Sequence, residues 1–257
     1  MTHDHRFRSV DWLPLAMWAA LTACGTLGFA LARMGDDDEG LLGALAIDTA
    51  AEMALSFGAL AAVALWLARN AGFTVLALDA PRGVMRWLVA PQFLLALALG
   101  LVIGFGNFAV EILTSDAVAS ADSGRGAASL WTRAARNVLY DSIAEEVLFR
   151  LLLMSLVVYV GLLLFPAAAR GGDARLSALA LAISSLACAA NAMIDLPTAG
   201  QLPVAVGAIV LGTELAIGVV LGFIYWRIGF EAAVVAHVGG YVIVTLPLLA
   251  VRAALWP

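Results

Sequence analysis

The run Ala144-Glu145-Glu146-Val147-Leu148-Phe149-Arg150 places three ionisable side chains directly ahead of a stretch of apolar or small residues from Leu151 to Phe165. A charged side chain at the centre of a membrane helix costs roughly 2.5–3.5 kcal/mol on insertion scales, so such a cluster is where chemistry is expected. Spacing divides the work. Glu146 and Arg150 are four apart, share a helix face and can pair. Glu145 is rotated about 100° from Glu146 and is left to face a cavity, where a carboxylate can act as a general base toward water. The plain alternative is a buried ion-pair cluster that fixes helix packing, a role that has no need of the second, unpaired Glu.

Three more polar positions lie in apolar segments. His237 is the one histidine beyond His3 and His5, in Val234-Val235-Ala236-His237-Val238-Gly239-Gly240-Tyr241. Gly239 and Gly240 permit close helix approach. Tyr241, four residues on, shares the His237 face, and such a pair can hold a water or an oxyanion; the alternative for His237 is a hydrogen-bonded packing residue. Asn191 must find a polar partner in lipid and so faces the bundle interior, either in a site or as helix-to-helix glue. Glu214 is a further buried acid able to pair with Arg150 or a substrate, whereas Asp48, Glu52 and Glu111 read as interfacial charges. Cys24 and Cys188 match neither a disulfide framework nor a metal spacing and read as small buried hydrophobes.

The elements that must carry these residues follow from composition. The chain has 257 residues, 63% hydrophobic and 13% charged, against about 45–50% and about 25% in soluble domains. This predicts an all-α, polytopic transmembrane helical bundle of about seven to eight helices, one membrane-embedded domain over residues 1–257. The first apolar segment is long enough to span and lacks a small-residue cleavage site, so it is expected to be retained. Hydropathy predicts helices over 12–34, 41–68, 87–113, 176–194, 203–226 and 230–255. Another starts near Leu130 and either continues through the glutamates to Phe165 or breaks before them. Between them are expected a solvated acidic loop at Asp36-Asp37-Asp38-Glu39, a loop with Arg69, Pro81, Arg82 and Arg86, a polar loop over 115–129, an approach to the membrane through Arg133, Arg136 and Asp141, and a turn at Arg170-Gly171-Gly172-Asp173.

All fourteen basic residues are Arg, and the net charge is −5. No basic cluster suits nucleic acid, and no EF-hand spacing follows the acidic loop, so the expected surroundings are the lipid bilayer of the cell membrane. A cytoplasmic N-terminus puts Arg6, Arg8, Arg69, Arg82, Arg86, Arg170, Arg175 and Arg227 inside, eight against the five of Arg33, Arg125, Arg133, Arg136 and Arg252 outside. That tally leans the way the positive-inside rule requires.

Glu145-Glu146-x-x-x-Arg150 with Phe149 before the Arg, followed late in the chain by Gly218 to Gly229 and then Ala232 to His237, resembles the CPBP family of intramembrane proteases, the CAAX prenyl protease and bacteriocin-processing (Abi) proteins. The likeness covers a core of about 130–245. It implies an endopeptidase that cuts membrane-bound or lipidated protein or peptide substrates through a glutamate-activated water. Glu145 would be the base, Glu146 and Arg150 its support, and His237 would bind the water or the oxyanion. Two positions depart from the pattern. The family's second-motif His is replaced, Asn191 with Ala187 being the nearest equivalent, and the final His-x-x-x-Asn reads His237 followed by Tyr241. Zinc normally takes three protein ligands plus water, so one membrane-region His makes a divalent metal doubtful, and the favoured chemistry requires no cofactor. The same departures leave open a catalytically silent member that acts as a membrane binding or immunity protein. A proton-coupled carrier is the third reading, since buried acids also mark ion paths, but no internal repeat accompanies it.

Overall fold

The computed structural model describes residues 12–33, 47–75, 91–121, 135, 137–165, 174–195 and 203–255. Among them there are helices and short connections and no strand. The seven helices are α1 (Trp12–Arg33), α2 (Ile47–Ala71), α3 (Pro91–Ala121), α4 (Asn137–Leu164), α5 (Ala174–Asp195), α6 (Val204–Arg227) and α7, which begins at Phe230 and ends at Leu255. Six of them, α2 to α7, are long and apolar enough to cross a membrane, while the apolar stretch of α1, Ala16–Leu27, is shorter. The chain is a multi-pass membrane protein. Leu55, Val102, Phe105, Leu163 and Ile194 accordingly sit exposed on the outer surface of the bundle, where lipid solvates them. The acidic run Asp36 to Glu39, the side chain of Asp48, the loop with Pro81, Arg82 and Arg86, the approach through Arg133 and Arg136, the side chain of Asp141 and the turn Arg170 to Asp173 lie outside the described residues.

One expectation is corrected at α3. A loop was predicted from Ser115, yet the helix continues to Ala121, beyond the apolar span that ends at Leu113. Ala117, Ala119 and Ala121 are strong helix formers, and no Gly or Pro interrupts the stretch before Gly124.

Between the two alternatives for the glutamate-bearing segment, the helix runs through. Its first part is wound wide. Asn137–Ala144 and Glu146–Met154 are π-helical, and Ser155–Leu164 is an ordinary α-helix. The last helix repeats the device, with α-helix over Phe230–Gly240, wide turns over Tyr241–Thr245 and α-helix again over Leu246–Leu255. Wide turns of this kind are rare and recur at functional sites. Here they fall on the two helices that carry Glu145, Glu146, His237 and Tyr241.

Small residues set the crossing of α3 and α7. A Cβ on Gly104 would collide with the Gly240 carbonyl, and one on Gly240 with the Gly100 carbonyl; Gly100 itself lies against the backbone of Ala236. Gly100 and Gly104 therefore meet Ala236 and Gly240, a small-xxx-small contact on both helices, clamped further by Thr245 Oγ1 donating to the Gly104 carbonyl at 2.8 Å. His237 follows Ala236, so this crossing fixes its height in the bundle. At the other end of α7, Gly229 takes φ 138° and reverses the chain out of α6, and the Phe230 N–H then donates to the Thr74 carbonyl at 3.2 Å. The ring pairs Trp66–Tyr159 and Phe73–Tyr225 bring the C-terminal ends of α2, α4 and α6 to one face.

Candidate active site

Four helices converge on the glutamate doublet. Glu146, fully buried, uses one oxygen twice: its Oε1 lies 3.2 Å from Arg150 Nη1 and 3.0 Å from His237 Nδ1. Arg150, also fully buried, reaches on to α5 and α6, with Nη1 3.7 Å from Cys188 Sγ and Nη2 donating to the Gly218 carbonyl at 3.5 Å. Glu145 is half-buried and points toward α5, where Asn191 Nδ2 donates to its Oε1 at 3.2 Å. Tyr241 is buried, and its Oη accepts from Asn137 Nδ2 at 3.1 Å. Ser184 Oγ ties α5 to α4 by donating to the Phe149 carbonyl at 2.6 Å.

The rotation between the two glutamates is thus as the spacing predicts, and the Glu146–Arg150 pair forms. The partner of His237 was not forecast by the spacing: the ring binds Glu146. The cause is the helix arrangement: α7 packs on the face of α4 that carries Glu146, while Glu145 is turned toward α5. Arg150 stands as the counter-charge of Glu146, while Glu146 Oε2 and Arg150 Nε have no hydrogen-bond partner. A carboxylate can only accept, so in the contact with Glu146 the ring donates through Nδ1 and turns Nε2 away from it.

Asn191 meets Glu145 across α4 and α5. Glu214 lies half-buried on α6, and Glu52 is exposed. Both cysteines are free thiols; Cys188 is buried and packs on the guanidinium, whereas Cys24 is half-exposed and so is not the buried filler that its neighbours suggest. Three polar contacts had no forecast: Asn137 with Tyr241, Ser184 with Phe149, and, deeper along α4, Ser155 Oγ with Tyr225 Oη at 2.8 Å. The usable signal was the rule that a hydroxyl or amide in lipid must find a partner.

Among the described residues no three His, Cys, Asp or Glu side chains are grouped as ligands. The His237 imidazole turns Nδ1 to Glu146, whose bonded oxygen is shared with Arg150. What the site offers instead is a half-buried carboxylate held by a neutral amide, next to a compensated buried charge network. No family profile, curated protein or solved structure matches this chain.

Proposed function

We propose that this chain is an intramembrane endopeptidase that hydrolyses a peptide bond of a membrane-bound or lipidated protein. The observation that carries the reading is the division between the adjacent acids. Glu146 is buried and compensated by Arg150, while Glu145 is half-buried and held by the Asn191 amide. A buried ion pair accounts for Glu146, and Glu145 stands outside that pair, turned across to α5. The motif resemblance to the CPBP family points the same way.

In this mechanism Glu145 takes a proton from water, and the oxygen attacks the scissile carbonyl carbon. His237, anchored through Nδ1, offers Nε2 as an acceptor that orients the water. The Asn191 amide and the Tyr241 hydroxyl are the donors for the tetrahedral oxyanion. Collapse breaks the C–N bond as Glu145 returns its proton to the leaving nitrogen, which restores the carboxylate. Glu146 and Arg150 hold the His237 ring and touch no substrate.

The membrane is the cell membrane, with a cytoplasmic N-terminus. Arg69 ends α2, Arg227 ends α6 and Arg175 starts α5, all at the face where α2, α4 and α6 terminate and where α1, taken as a seventh span, begins. That basic face is the inner one.

The test is Glu145→Gln in proteoliposomes with a membrane-anchored fluorogenic peptide. Loss of at least about a hundredfold in kcat, with thermal stability unchanged, is expected for a general base; unchanged turnover removes Glu145 from the mechanism. One observation favours a second reading, a silent membrane binding or immunity protein: the His237 imidazole is already engaged by Glu146. On that reading the wild type retains the anchored peptide and releases no fragment.

A further inference from the structure

We infer that the end of α6 binds an anionic phospholipid, with Arg227 on the headgroup phosphate and the apolar ridge behind it along an acyl chain. This surface is built from side chains that the glutamate cluster does not use. It requires the membrane spans and not the peptidase reading.

The height of Arg227 follows from the spans. It is the last residue of the α6 span, Val204–Arg227, and Ile228 and Gly229 alone separate it from Phe230, where the α7 span begins. A connection that short keeps Arg227 at the boundary between acyl chains and headgroups, the depth at which Trp collects and basic side chains meet lipid phosphate. At that depth the side chain is held by rings. Its guanidinium carbon lies over Trp226, 4.6 Å from the ring centre, and over Phe223 at 5.8 Å. The two rings meet edge to face at 6.2 Å. Trp226 is half-buried against the core, whereas Phe223 and Arg227 are exposed.

A guanidinium stacked through its face presents its N–H donors at its edge, and that planar fork fits two oxygens of one phosphate. Among the described residues the side-chain contacts of Arg227 are with these two rings, and it meets no carboxylate. Glu231, the nearest acid in sequence, sits in the first turn of α7 with Oε2 buried and its field reaching the buried Tyr225 hydroxyl, so it is turned toward the bundle. Behind the cation the surface suits a hydrocarbon tail. Leu215, Val219 and Phe223 precede Arg227 at steps of four, and all three are exposed. Residues four apart form a ridge inclined to the helix axis, so an acyl chain can follow it for about 18 Å, at about 1.5 Å per residue. The rings also choose the headgroup. Their faces already hold a cation, so the ammonium of a zwitterionic lipid meets an occupied aromatic site and a like charge. A headgroup that is negative overall meets neither obstacle.

The experiment titrates the full chain in detergent micelles with phosphatidylglycerol or phosphatidylcholine of the same acyl chains and counts bound lipid by native mass spectrometry. The wild type is expected to hold one phosphatidylglycerol at least about tenfold more tightly than phosphatidylcholine, the scale of a hydrogen bond to a charged group. Arg227→Gln should abolish that preference. Arg227→Lys, which keeps the charge without the fork, should retain part of it and shows that the altered chain still folds around the site. Arg69→Gln removes the same charge from an exposed position at the end of α2 and should leave the preference within about twofold of wild type. Inorganic phosphate in large excess should not displace the lipid, because it gains nothing from the ridge. Equal retention of the two lipids overturns the inference, as does an Arg227→Gln preference within about twofold of wild type. A loss in Arg69→Gln as large as in Arg227→Gln also overturns it, since that is diffuse attraction to net charge. So does displacement by inorganic phosphate, which marks a free-anion site. A chain that cleaves no peptide can still pass this test, so its outcome and that of the peptidase reading are read separately.

Discussion

Arg150→Met tests whether the centre of the bundle is held by charge compensation. Both members of the Glu146–Arg150 pair are fully buried, 3.2 Å apart. Removing the guanidinium leaves the Glu146 carboxylate with the His237 ring as its hydrogen-bond partner on Oε1, and Oε2 already has no partner. It also withdraws a donor from the Gly218 carbonyl and a contact from Cys188. Breaking a buried pair from one side typically costs about 3–5 kcal/mol, because the surviving charge is uncompensated. That loss is expected for Arg150→Met, and a similar one for Glu146→Gln, which strands the guanidinium instead. The double variant Arg150→Met/Glu146→Gln carries no buried charge and should recover most of the loss, since a buried pair replaced as a whole by neutral side chains of similar volume is often neutral or stabilising by about 1–4 kcal/mol. The assay is reversible SDS unfolding in mixed micelles, followed by tryptophan fluorescence. A double variant no more stable than Arg150→Met would refute the reasoning. It would mean that the contacts of Arg150 with Cys188 and Gly218, and not the neutralisation of Glu146, hold α4 to its neighbours.

Two further outcomes follow from packing, each read by the same unfolding assay. At the α3–α7 crossing, Gly104→Ala or Gly240→Ala would drive a Cβ into a facing backbone carbonyl, which cannot rotate away, so each should lose about 1–3 kcal/mol or more. Gly212→Ala, with nothing within 4 Å of its added Cβ, should be neutral or gain up to about 1 kcal/mol from helix propensity; an equal loss there would show that the crossing is not the cause. Ser155→Ala strands the fully buried Tyr225 hydroxyl and should cost about 1–3 kcal/mol. Adding Tyr225→Phe should restore part of that, and no recovery would mean that the hydroxyl pair is not the source of the loss.

What the sequence makes legible here is set by how expensive each group is in lipid. Ionisable side chains in apolar segments are costly enough that Glu145, Glu146, Arg150 and His237 stand out without a structure, and the angle between adjacent helical positions is enough to assign different partners to the two acids. Which helix answers which acid is not local information. His237 binds Glu146 because the Gly100–Gly104 and Ala236–Gly240 contact sets where α7 crosses the bundle, and no feature of residues 144–150 encodes that. Asn137 is hidden for a different reason. A neutral amide raises no alarm on a hydropathy scale, and under α-helical periodicity it points away from Glu146. Its place in the site depends on the wide winding of α4, and the trace of that winding is the spacing of buried polar residues along the helix. Ser142, Glu146, Arg150 and Ser155 recur at intervals of four, four and five. An α-helix, at about 3.6 residues per turn, would let that series drift around its surface, so that Ser155 and Ser142 would face different neighbours. A helix with roughly 4.4 residues per turn keeps it in one line. A run of polar residues at four-to-five spacing inside a hydrophobic span is therefore a sign of wide turns. In this chain that line runs from the Asn137–Tyr241 contact through the paired charges to the Ser155–Tyr225 hydroxyls. Asn137, Glu146, Arg150 and Ser155 on it each meet a group of a neighbouring helix because the backbone is wound to present them on one side.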